Sequence, residues 1–93
     1  MPPSSPDPPP APPCRERLLA PDCGLGGVPL AVSLWLVPQG AMVIEGDRVV
    51  ELVAGGVTVD LEAPVTGRLI ACLVDEDERV HAGMALAEFE PQE

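Results

Sequence analysis

Lysine is absent from the chain. Chemistry that works through a lysine amine is therefore excluded at every position, not only at one. Tyrosine is absent too, and a single Trp and a single Phe leave any core to Val, Leu, Ile and Ala. Bases are scarce: five arginines against fifteen acids give a formal charge of −10. With so few cations to displace counterions from phosphate, nucleic acid is excluded as a partner. Long apolar runs are missing as well. The best candidate, residues 28–37, contains Pro29 and falls short of the roughly 20 apolar residues a spanning helix needs. The opening residues Met1-Pro2-Pro3-Ser4-Ser5-Pro6-Asp7 have neither the basic nor the apolar region of a secretory signal. These absences predict a cytoplasmic protein with no membrane partner. Cys14, Cys23 and Cys72 are odd in number and lack metal-ligand spacing, so no metal site is expected. Reduced thiols are the plain reading, although the spacing of Cys14 and Cys23 permits a disulfide.

What remains is enough for one small domain. The chain has 93 residues, 46% of them hydrophobic, and a domain of this size buries roughly 60% of its unfolded surface, which predicts modest stability. Eight of the first thirteen residues are proline. They cannot donate ladder hydrogen bonds and have little to bury, so residues 1–16 are expected to be a disordered, polyproline-like tail. That tail is either a solubilising segment or a ligand for a proline-reading groove. From Arg17 to about residue 91 the character changes to short apolar runs broken by Gly, Pro and acids. Many short strands with frequent turns predict an all-β sandwich or barrel.

The clearest element is a hairpin. Val49-Val50-Glu51-Leu52-Val53-Ala54 and Val57-Thr58-Val59-Asp60-Leu61-Glu62 flank Gly55-Gly56, a pair suited to a two-residue turn with positive φ. The register sets Ala54 against Val57, Leu52 against Val59 and Val50 against Leu61, all six facing the core. Val53 with Thr58, Glu51 with Asp60 and Val49 with Glu62 then share a wet face, where the Glu51–Asp60 pair is mildly unfavourable.

An internal repeat accompanies it. Residues 36–52 shifted by 37 positions land on 73–89, and Leu36, Val37, Val43, Gly46 and Glu51 recur as Leu73, Val74, Val80, Gly83 and Glu88. Val49 and Leu52 are matched by the apolar Leu86 and Phe89. Two half-domains related by a pseudo-twofold follow, each a long strand, a turn, a short strand and a further strand.

The order of strands, the spacing Val37, Gly40, Val43, Gly46, the tight hairpin and Glu62-Ala63-Pro64-Val65-Thr66-Gly67 together resemble the biotinyl/lipoyl-attachment (lipoyl-binding) domain family. The likeness runs from about residue 18 to 90, and Ala20-Pro21-Asp22-Cys23-Gly24 looks like the family's opening strand and turn. The resemblance implies the lipoyl-like single hybrid motif, a flattened β-barrel of two four-stranded antiparallel sheets. It also implies a carrier whose lipoate or biotin sits on a lysine at the tip of the central hairpin. Counting back from Ala63-Pro64, the family's acceptor-lysine position falls on Gly56, beside Gly55. Attachment is an amide to an ε-amine, and no register slip can find one here. The family's two Gly-Asp turn signals are altered as well, to Gly40-Ala41 and Asp77-Glu78. No cofactor is therefore expected.

Other residues carry plainer expectations. Asp75-Glu76-Asp77-Glu78 lacks the glycine and spacing of a calcium loop and reads as a solvated turn, with attraction of a basic partner the second reading. His81 is the only histidine and has no nucleophile or ligand beside it, so no catalytic residue is expected. Cys72 alternates within a strand as a small buried hydrophobe, while Cys14 and Cys23 lie near the tail with only Arg15 and Arg17 to lower a thiol pKa. Trp35 is core or strand cover, and an interface anchor if it is neither. Three readings of function follow: a non-catalytic protein-docking module related to the carrier domains of 2-oxo acid dehydrogenase or biotin-dependent carboxylase complexes, a carrier fragment of such an enzyme, or a relic. The absent lysine disfavours the second.

Overall fold

A computed structural model describes residues 15–22 and 29–92. Residues 1–14 of the proline-rich segment, Cys23 and the glycines at 24, 26 and 27 lie outside these, and the readings made there lie outside with them. Eight strands form: β1 (Glu16–Leu19), β2 (Leu30–Trp35), β3 (Met42–Val43), β4 (Arg48–Ala54), β5 (Val57–Glu62), β6 (Gly67–Cys72), β7 (Arg79–Val80) and β8 (Ala85–Pro91). The opening strand is thus Glu16–Leu19, ahead of the 20–24 stretch expected to supply it, with Ala20 buried behind it. No helix forms among the described residues.

The strands build two four-stranded antiparallel sheets, ordered β1-β8-β6-β3 and β5-β4-β2-β7. Between them lies an aliphatic core in which Phe89, Leu52, Leu69, Leu86, Val32, Val49 and Val50 are wholly buried. Aliphatic residues on alternate positions can fill both inner faces because successive side chains on a strand point to opposite sides. The architecture is the flattened all-β barrel expected.

The pseudo-twofold is visible bond by bond. Shifting β2, β3 and β4 by 37 residues reproduces the bounds of β6, β7 and β8. Gly40 N donates to Leu69 O at 2.7 Å, and its counterpart Asp77 N donates to Val32 O at 2.7 Å. Leu36 N to Val49 O and Leu73 N to Leu86 O repeat the relation at 2.9 and 2.8 Å. The register shift between Val32 and Leu34 in β2 recurs between Leu69 and Ala71 in β6. Even the altered turn conserves its shape: Gly40 has φ 96° and Asp77 has φ 69°. The two halves interlock, since β2 pairs with β7 and β3 with β6.

The hairpin register holds for Ala54–Val57, Val53–Thr58, Leu52–Val59, Glu51–Asp60 and Val50–Leu61, but Glu62 pairs with Arg48 rather than Val49. A β-bulge absorbs Val49, which is wholly buried instead of lying on a wet face. The inner face is also less completely covered than expected. β5 is a sheet edge, so Val57 remains 52% exposed while Val59 and Leu61 are half-buried. On the outer face, Arg48 reaches within 3.5 Å of Asp60 and offsets its repulsion from Glu51.

Candidate functional site

The β4–β5 tip is built by its backbone. Gly55 and Gly56 both take positive φ, 55° and 85°, the type I′ geometry whose twist matches that of the flanking strands. A side chain added at Gly56 would meet nothing within 4 Å. The tip therefore presents bare backbone to open space, with Val57 the first exposed apolar side chain beside it. Behind it, cross-strand pairing sets Ala31 against Val53 and Val53 against Thr58, with Arg79 opposite Ala31 on the far edge. The next row sets Leu34, 45% exposed, against Glu51 and Asp60. The outer face of this sheet mixes apolar and acidic groups, with Arg48 beside Asp60 and Arg79 at the far edge.

The loop after β5 is anchored by side-chain and main-chain bonds. Ala63 N donates to Asp47 O at 2.7 Å and Gly46 N to Ala63 O at 3.1 Å, while Glu45 N donates to Thr66 Oγ1 at 2.9 Å. Gly67 then begins β6 against the end of β8. A Cβ at this position would collide with the Glu90 carbonyl and press on Pro91, so the close approach of the strands admits only glycine.

The remaining candidates stay apart. His81 is exposed in the turn between β7 and β8, within 3.2 Å of the Ala82 carbonyl. Cys72 ends β6 half-buried against the core, its thiol pKa pushed up by that burial. Its backbone N–H donates to Gln39 Oε1 at 3.0 Å. In the acidic turn, Asp75 N donates to Glu78 Oε1 at 3.2 Å. Trp35 packs against the core and spends its indole N–H on Val74 O at 3.0 Å, joining the two halves. Among the described residues no group of three His, Cys, Asp or Glu could hold a metal ion, and no helix is long and apolar enough to cross a membrane. Sequence reasoning missed the steric demand at Gly67 and the left-handed backbone at Asp77. Only the offset to Gly40 in the repeat signals the latter.

Comparison with known proteins places this geometry. A solved structure of a single-chain, multi-domain long-chain acyl-CoA carboxylase is similar, with TM-score 0.70 and 25% sequence identity over 85% of this chain. The match spans 7% of the carboxylase chain. A search of curated proteins returned no match. The family model Biotin_lipoyl, described as "Biotin-requiring enzyme", matches residues 16–89, from the first strand to the last buried residue of β8. With its fold, repeat and hairpin in place over that span, the chain belongs to the biotinyl/lipoyl-attachment family.

Proposed function

We propose that this protein is a carrier-type domain without its arm: a non-catalytic docking surface for enzymes that act on biotinylated or lipoylated carriers. In this reading the domain runs to residue 91 from β1, which begins at Glu16, one residue before the expected boundary at 17; the residues before it are a tail, and the setting is cytoplasmic. The observation that carries it is the hairpin tip. Gly56 stands where the family's acceptor lysine would be counted, and no other lysine exists in the chain. An amide link to lipoate or biotin requires an ε-amine, so the domain cannot be loaded. The surface that a partner enzyme grips is a separate matter, and the barrel that presents it is supported by the whole core. The carboxylase likeness makes biotin-dependent carboxylase components the first partners to test, with 2-oxo acid dehydrogenase components second.

Two measurements test the proposal. Incubation with biotin ligase or lipoate ligase and their substrates leaves the intact mass unchanged, and a mass increment of one cofactor would defeat the reading. Addition of the domain to a purified carboxylase slows carboxylation of the biotinylated carrier competitively. If neither carboxylase nor dehydrogenase carriers are displaced at any concentration reached, the docking role fails and a relic remains.

A further inference from the structure

The longest sheet edge among the described residues is β5, at six residues against four for β1 and two each for β3 and β7. Its free side can be assigned from the hairpin. Ala54 and Val57 close a two-residue turn, so Leu52–Val59 and Val50–Leu61 exchange the ladder hydrogen bonds. The N–H and C=O groups of Thr58 and Asp60 therefore point away from β4, where no described strand receives them. The apolar stripe Val57, Val59 and Leu61 is left half-covered on the same edge. Edges of this kind are usually blunted by Pro, Lys or a bulge on the edge strand itself. β5 has no Pro, Lys or bulge, and its only charges, Asp60 and Glu62, lie on the outer face away from the apolar stripe.

We infer that β5 pairs antiparallel with β5 of a second copy of this chain, about a twofold axis at Val59. The choice of occupant rests on charge and register. Only residues with outward backbone groups can exchange hydrogen bonds across the new edge, which limits the registers. An axis at Asp60 would set Asp60 against Asp60 of the second copy, and an axis at Thr58 would shorten the overlap. The axis at Val59 sets Thr58 opposite Asp60 of the second copy on both sides, with no like charges facing. It also sets Val59 against Val59 and Val57 against Leu61, which covers the exposed stripe. Two four-stranded sheets become one continuous sheet, and the hairpin tips lie at its seam.

The register makes position 58 diagnostic. Sedimentation velocity on the full chain reads the monomer–dimer equilibrium as protein concentration is raised. Thr58→Lys faces Asp60 of the second copy twice and tightens the dimer roughly tenfold, while Thr58→Asp creates two like-charge pairs and weakens it by a similar factor. Salt shrinks both effects. Thr58→Pro removes an N–H that points to solvent in the monomer, so it abolishes the dimer with little change in melting temperature. A wild type that stays monomeric throughout overturns the inference, as does a dimer indifferent to Lys and Asp at position 58.

Discussion

At the residue scale, two positions constrain the backbone for opposite reasons. Gly67 is demanded from outside, by the Glu90 carbonyl and Pro91 across the sheet. Gly67→Ala forces main chain against main chain, where no rotamer can give way. The expected loss is about 3 kcal/mol, at the upper end for overpacking, read from the midpoint of urea unfolding. Asp77 is constrained from within: its φ of 69° is tolerated by Asp but suits Gly better. Asp77→Gly relieves the strain and loosens the unfolded chain, two effects of opposite sign, and the relief wins by up to about 1 kcal/mol. A melting temperature below that of the native protein would show the strain to be absent. Neither position discloses itself locally. Gly67 reads as one turn glycine among many, and Asp77 as one acid in a run of four. For Gly67 the cause lies across the sheet in β8, and for Asp77 the only sign is its match to Gly40 in the repeat.

At the element scale, the β4–β5 hairpin was legible almost to its base, because a Gly-Gly turn fixes register and alternation does the rest. It failed at Val49. Strict alternation from Val50 puts Val49 on the outer face, whereas the bulge turns both valines inward. The second half makes the same choice with Leu86 and Ala87, both wholly buried. Consecutive apolar residues at the same place in both halves were the available signal for that bulge. Val49→Ala is expected to cost about 2 kcal/mol through the cavity it leaves. Val53→Ala on the outer face costs well under half of that. Equal losses in parallel denaturation curves would restore the unbulged register. The tip itself can be re-armed: Gly56→Lys has open space for its side chain, although a β-carbon at φ 85° costs about 1 kcal/mol. Mass spectrometry after biotin ligase treatment is expected to find one adduct, confined to that lysine.

At the scale of the whole molecule, the two-half organisation was legible because the same pattern is written twice, while the two four-stranded sheets followed from the family resemblance. The absence of any acceptor amine was legible from composition, while the assignment of the acceptor position to Gly56 belongs to the proposed function. The edge position of β5 was not legible, because neighbours two strands away are set by topology rather than by local pattern. Topology also fixes the order in which the barrel can come together. β8 is the last strand in the chain, yet it lies between β1 and β6. Of the described strands β1 is made first, and its partner β8 is made last. Among the described strands the β4–β5 hairpin is the ladder with the shortest closure, while β2–β7, β3–β6 and β1–β8 wait on loop closure over longer separations. β1 therefore stays without its partner until β8 has been made, and the sheet β1-β8-β6-β3 closes only when β8 enters between β1 and β6.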